Sequence, residues 1–70
     1  MKLSKTEKEI TKEKIIILVK GGKISTEKVI NDVYRMVQPL IPHCNKYNVS
    51  GCVSALAEKN VIRCHGGFCW

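Results

Sequence analysis

The sequence contains no long apolar run. The longest aliphatic stretch, Ile15 to Val19, spans five residues and lies between Lys14 and Lys20. The apolar core of a signal peptide needs about 7–15 residues, and a bilayer span needs about 20. We therefore expect neither a targeting segment nor a membrane partner, and the default location is cytoplasmic. Internal repeats and low-complexity segments are also absent from the sequence.

The sequence also lacks a recognisable catalytic constellation. No nucleophile is paired with a base, and no two carboxylates have catalytic spacing. His43 stands between Pro42 and Cys44, in a segment that we expect to be a loop, and this Cys–His pair is too weak a signal for catalysis. We therefore expect the protein not to be an enzyme and to need neither a cofactor nor a small-molecule substrate.

The four cysteines do not form a Cys-x-x-Cys knuckle. They are separated by seven, eleven and four residues and stand at Cys44, Cys52, Cys64 and Cys69. In the cytosol they would be free thiols or metal ligands rather than disulfides. Together with His43 and His65 they suffice for a tetrahedral zinc site. Because the spacing is irregular, we expect no bound metal. Cys52 would be a core residue, whereas Cys64 and Cys69 would face each other and either bridge or bind metal.

Acidic residues are few. Twelve Lys and Arg stand against six Asp and Glu, which gives a net charge of +6. Such an excess suits an anionic partner, nucleic acid first. Lys and Glu alternate near the N-terminus, which is typical of a solvated helix face. A second interpretation is that this helix follows a phosphate backbone with Lys2, Lys5, Lys8 and Lys12.

Seventy residues, 44% of them apolar, predict one small globular domain over residues 1–70. Ser4 and Glu7 have the spacing of a capping box and predict the start of a first helix, which Gly21-Gly22 would end. Ser25 is a suitable N-cap for a second helix, which Pro39 and Pro42 would close. Ile24 is a candidate for a short strand beside a hairpin.

The last third of the chain predicts a helix that continues into a β-hairpin. Apolar residues recur at helical spacing at Val49, Cys52, Val53 and Leu56. Asn60 is suited to the left-handed backbone conformation that often ends a helix, and we expect that helix to span 49–59. Residues 61–64 then predict a strand, 65–67 a turn and 68–70 the returning strand. The sequence therefore predicts an α+β fold of three helices and a small antiparallel sheet.

This pattern resembles the winged helix-turn-helix superfamily. Residues 24–29, Ile-Ser-Thr-Glu-Lys-Val, are similar to the entry of its second helix, and residues 49–63 are similar to its recognition helix and the exit into the wing. The resemblance implies a three-helix domain whose C-terminal hairpin, 61–70, is the wing. Two features depart from the family: the segment from Gln38 to Tyr47 is long, and the wing tip, His65 to Gly67, carries no Arg or Lys.

The resemblance implies double-stranded DNA as the partner and transcriptional regulation as the function. Our first hypothesis is therefore a small regulator of a phage, plasmid or similarly compact genome. Helix 49–59 would lie in the major groove and read base edges. The DNA-binding residues would then be Lys46, Tyr47, Asn48, Ser50, Gly51, Ser54 and Arg63. The half-exposed apolar residues of the first helix make a homodimer plausible. The alternative is a winged-helix module for protein interaction or for metal or iron–sulfur sensing that does not bind DNA.

Overall fold

The computed structural model describes residues 2–70 and has an α+β architecture of three helices and a three-stranded antiparallel sheet. In chain order the elements are α1 (Lys5–Lys20), β1 (Ile24–Ser25), α2 (Thr26–Val37), α3 (Lys46–Glu58), β2 (Cys64–His65) and β3 (Phe68–Cys69). Within residues 2–70, no helix combines the length and the hydropathy that crossing a bilayer requires.

The predicted capping box at the start of α1 is confirmed. The Ser4 amide donates to Glu7 Oε1 at 2.8 Å, and the Glu7 amide donates to Ser4 Oγ at 3.2 Å. The first of these bonds is the main reason why the pKa of Glu7 lies below its ordinary value. Inside the helix, the fully buried Thr11 satisfies its hydroxyl by donating to the Glu7 carbonyl at 2.9 Å. The helix ends at the predicted glycines, where Gly22 has a φ of 127°.

The second helix also begins at its predicted cap, where the Lys28 amide donates to Ser25 Oγ at 3.2 Å. The Gln38 side chain holds the segment that follows α2. Its Nε2 donates to the Pro42 carbonyl at 3.3 Å and to the Cys44 carbonyl at 3.4 Å. His43 Nε2 in the same segment lies 3.1 Å from Glu7 Oε1. The connection between α2 and α3 is therefore tied both to itself and to the start of α1.

The third helix starts earlier than residue 49, where the sequence pattern had placed it. Asn45 is its N-cap: the Asn48 amide donates to Asn45 Oδ1 at 2.9 Å, and the Asn45 amide donates to Asn48 Oδ1 at 3.0 Å. This reciprocal pair satisfies two amides at the helix start in the manner of a capping box. The helix spans Lys46–Glu58 rather than 49–59, and the connection from α2 is correspondingly shorter than the predicted Gln38–Tyr47.

The predicted left-handed residue after α3 is confirmed, since Asn60 has a φ of 59°. The Val61 amide donates to the Leu56 carbonyl at 3.0 Å, and the Asn60 amide donates to the Ala57 carbonyl at 3.1 Å. These are the two bonds of a Schellman motif, which ends the helix and reverses the chain. The turn directs the chain from the last turn of α3 into the hairpin.

The hairpin is shorter than predicted, but its partner strand is present. Residues 61–63 are not strand, although the Arg63 and Trp70 backbones exchange bonds of 2.8 and 2.9 Å. The turn is Gly66-Gly67 rather than 65–67, and both glycines have positive φ, 60° and 83°. A two-residue turn with this geometry needs glycine or asparagine. The predicted strand at Ile24 is confirmed, and β3 lies between β1 and β2.

One continuous core joins the helices to the sheet. The stripe of α3 predicted from its spacing is buried, as are apolar residues of α1, α2 and the hairpin. The largest fully buried side chains are Ile15, Ile41, Val29, Val33, Val37, Val49, Thr11 and Cys69. Every buried side-chain nitrogen or oxygen atom in the described chain has a hydrogen-bond partner.

Leu56 contacts this core near the end of α3 and is 5% exposed. We expect Leu56→Ala to lower the free energy of unfolding by about 2–5 kcal/mol, because it removes buried methyl groups and leaves a cavity. A domain of this size has a net stability of about 3–5 kcal/mol, so the variant should be largely unfolded. Urea titration followed by circular dichroism measures the change. Val61→Ala, at a residue 52% exposed, is the control and should stay folded; equal losses for the two variants would contradict the burial of Leu56.

Candidate nucleic-acid interface

The outer face of α3 carries two small residues at its centre, between a tyrosine and a glutamate. Tyr47, Gly51, Ser54 and Glu58 follow each other at intervals of four and three residues, and all four are exposed. This stripe lies opposite the buried stripe of the same helix, because residues three and four apart share one helical face. A Cβ atom added at Gly51 would meet nothing within 4 Å. A partner can therefore approach the backbone of α3 closely at Gly51 and Ser54.

The other predicted residues of α3 have neighbours of their own. Lys46 Nζ lies 5.9 Å above the centroid of the Tyr34 ring on α2, a cation–π distance. Ser50 is half-buried on the same flank. The side-chain oxygen of Asn48 accepts the Asn45 amide and so belongs to the helix cap. The structure thus places Tyr47, Gly51 and Ser54 on the outer face, and Lys46 and Ser50 on one flank of it.

Arg63 lies at the opposite end of this surface from Lys46. It is exposed and lines a shallow depression with Ala57, His65 and Trp70, where the end of α3 meets the hairpin. With a rise of 1.5 Å per residue, α3 is about 18 Å long from Lys46 to Glu58, and Arg63 follows its far end. Lys46 and Arg63 therefore flank the outer face of α3 at its two ends rather than forming one cluster.

A basic cleft lies between α1 and α3. It has a volume of about 330 Å³, and its α3 side includes Tyr47, Gly51 and Ala55. The α1 side and the chain preceding it contribute the cations Lys2, Lys8 and Lys12. Sequence reasoning favoured a merely solvated face for these lysines. The four-residue spacing of Lys8 and Lys12 was the signal that they share one side of the helix.

Two of these lysines lie close enough to Cys52 on α3 to act on its thiol. Burial of the thiol raises the pKa of Cys52, while the positive charges of Lys12 and Lys8 act in the opposite direction. The effect of burial is larger, so the thiol is neutral at physiological pH. Lys8 and Lys12 thus place positive charge against the cleft side of α3, next to its exposed small face.

The hairpin presents aromatic side chains rather than charge. Lys23 Nζ lies 5.2 Å from the centroids of both Phe68 and Trp70. These two rings are 44% and 42% exposed. The hairpin tip itself, His65 to Gly67, has no Lys or Arg. Cations near the hairpin therefore lie at its base, at Lys23 and Arg63.

The cysteines occupy two regions. Cys44 and Cys52 are buried near each other in the core, and burial is the main cause of the raised pKa of both thiols. Cys64 and Cys69 meet across the hairpin with their sulfurs 2.8 Å apart. Within residues 2–70, no three His, Cys, Asp or Glu side chains are grouped so that they could hold a metal ion.

No known protein family, curated protein or solved structure is significantly similar to this chain.

The raised pKa of the core thiols has a consequence for stability. A thiol whose pKa is higher in the folded state keeps its proton at a pH where the unfolded chain loses it. Its contribution to the free energy of unfolding is therefore complete below pH 9, the ordinary thiol pKa, and is lost as the pH rises beyond that value. We expect the urea midpoint of Cys52→Ala to fall less steeply above pH 9 than that of the wild type. Ser54→Ala, on the exposed face, is the control. Parallel curves for wild type and Cys52→Ala would contradict the burial of this thiol.

Proposed function

We propose that the protein is a small DNA-binding protein of the winged helix-turn-helix type, a transcriptional regulator that places α3 in the major groove. The observation that carries the proposal is the combination of a small, exposed α3 face with a lysine-lined cleft directly beside it. The order of three helices followed by a hairpin, with a third strand at Ile24, agrees with this type of domain.

The outer face of α3 suits the major groove, which is about 12 Å wide and admits one helix. Gly51 allows close approach of the helix backbone, and the hydroxyl groups of Ser50 and Ser54 can donate to base edges or phosphates. Tyr47 is 88% exposed at the beginning of this face and is available for contact with the DNA backbone. Glu58 at the far end carries negative charge, so base contacts would concentrate on the first two turns of the helix.

The phosphate contacts come from both sides of α3 in this proposal. Lys8 and Lys12 meet the strand on the α1 side, and Lys46 meets phosphate at the start of α3. Arg63 contacts the backbone at the base of the wing, because the tip has no Lys or Arg. Since phosphate contacts position a protein without reading sequence, these four cations supply affinity, and the face of α3 supplies specificity.

The cleft lysines can be tested by the salt dependence of binding. Neutralising each phosphate contributes about −0.9 to the slope of log K against log salt. We expect Lys8→Ala with Lys12→Ala to weaken duplex binding and to reduce that slope by about 2. Lys20→Ala, also on α1 but outside the cleft, should change neither. Fluorescence anisotropy with labelled duplexes over a salt series measures both, and an absence of binding at low salt would contradict the proposal.

The proposed contact between the α3 face and DNA can be tested by enlarging one of its side chains. Ser54→Leu should abolish binding to duplex DNA without unfolding the domain, because it places a branched side chain between the helix and the groove. Ser54→Ala removes only the hydroxyl group and should retain salt-dependent binding. Circular dichroism checks that both variants are folded. If Ser54→Leu bound as tightly as the wild type, DNA would not contact this face of α3.

One observation favours the alternative of a protein-interaction module. The hairpin tip lacks cations, while Phe68 and Trp70 expose their rings under Lys23. Aromatic side chains of this kind are enriched in protein interfaces. A module of this type would show no salt-dependent affinity for duplex DNA, so the same titration separates the two functions.

The proposed homodimer would use α1. Ile17 is 56% exposed, and Ile10, two turns earlier on the same face, is half-buried. Ile10, Ile16 and Leu18 pack against the core, so the exposed apolar surface of α1 is narrower than its sequence indicates. Ile17 is therefore the residue through which a second copy of α1 would pack in a regulator that binds a symmetric site.

A further inference from the structure

Cys64 and Cys69 stand directly opposite each other on β2 and β3. The next pair along the ladder, Arg63 and Trp70, exchanges both backbone hydrogen bonds, so Cys64 and Cys69 form the adjacent non-hydrogen-bonded pair. Cα atoms of such a pair are about 4.5 Å apart, within the 4.4–6.8 Å range that a disulfide spans. The two sulfurs are 2.8 Å apart and already in contact.

The two thiols differ in access. Cys64 is exposed, whereas Cys69 is fully buried in the central strand. Cys69 Sγ also lies 3.3 Å from the hydroxyl of Thr26, the first residue of α2. A thiolate at Cys69 could accept a hydrogen bond from this hydroxyl. The arrangement has an accessible thiol that a reagent can reach and a second, buried thiol held against it.

We propose that Cys64 and Cys69 form a thiol–disulfide site whose substrate is a small-molecule disulfide of the glutathione class. The Cys64 thiolate attacks one sulfur of that disulfide, forms a mixed disulfide and releases one small thiolate. The Cys69 thiolate then attacks Cys64 Sγ and releases the second small thiolate. The two protein thiols lose two protons and two electrons, and the small disulfide, which gains them, leaves as two thiols.

The reaction changes how firmly β2 is held to β3 in the hairpin. In the reduced form, β2 is held by a ladder of two residue pairs and the bonds between Arg63 and Trp70. The disulfide closes a loop around the turn at Gly66-Gly67 and so restricts the unfolded chain. Cys44 and Cys52 lie in the core and take no part.

The reaction should be slow at neutral pH and accelerate in base. Desolvation, together with the hydrogen bond and charge of Cys69, raises the pKa of Cys64 to about 11. Since the thiolate is the nucleophile, the rate should rise about tenfold per pH unit between pH 7 and pH 10. An ordinary exposed thiol would level off near pH 9, its ordinary pKa.

The test uses the reduced full chain, equilibrated with graded ratios of reduced to oxidised glutathione, then quenched with acid and alkylated. Mass spectrometry should show two fewer alkyl groups on the oxidised chain than on the reduced chain, with no accumulated glutathione adduct, and peptide mapping should link Cys64 to Cys69 within a monomer. The melting temperature of the oxidised form should be higher by roughly 10 °C. Cys64→Ser should abolish both changes, and His65→Ser, at the neighbouring exposed residue, should retain them.

Three results would overturn the proposal. They are four free thiols at the most oxidising ratio, a glutathione adduct on Cys64 that persists beside a free Cys69, and a disulfide between two chains. These measurements contain no DNA, so their outcome is independent of the proposed DNA-binding function.

Discussion

The structure depends on the burial of one narrow stripe of α3. Four residues of this helix, Val49, Cys52, Val53 and Leu56, are buried in the core that α3 shares with α1 and α2. Because the stripe is narrow, it fixes the rotation of α3 about its axis and leaves the opposite face in solvent. The same packing that gives a small domain its core therefore determines which residues a partner can reach.

The packing of α1 against α3 explains why the basic surface is a cleft rather than a flat face. α1 contributes large aliphatic residues to the core in its second half, while Lys8 and Lys12 lie in its first half, beside the start of α3. Small residues on α3, among them Gly51 and Ala55, leave the space open. The basic groove is thus lined by lysine side chains on one helix and by small residues on the other.

Local signals predicted most of the fold. The caps at Ser4 and Ser25 and the end of α3 at Asn60 each depend on residues close in sequence, and all three are present. The predicted strand at Ile24 is also present, although its partner β3 is distant in sequence. The start of α3 was misplaced by three residues because an Asn–Asn box does not show the usual Ser-x-x-Glu pattern. The hairpin strands were misplaced because the aliphatic pair that precedes them belongs to the turn after α3.

The candidate site was less predictable, because it is built from two helices. The periodicity of α3 shows that Tyr47, Gly51 and Ser54 share a face, but the position of Lys8 and Lys12 next to that face depends on how α1 crosses α3. No local pattern specifies that crossing. The opposition of Cys64 and Cys69 was predictable from the hairpin, whereas the contact of Cys69 with Thr26 required the third strand.

The short strands of the sheet also affect how the protein behaves at high concentration. β1 and β2, the two edges, have only two residues each, and β3 is covered on both sides. An exposed edge is a template on which another chain can add a strand, and its hazard grows with its length and flatness. Here each edge offers too few free amides and carbonyls for such an addition. Assembly into β-rich aggregates would therefore have to begin from the unfolded chain.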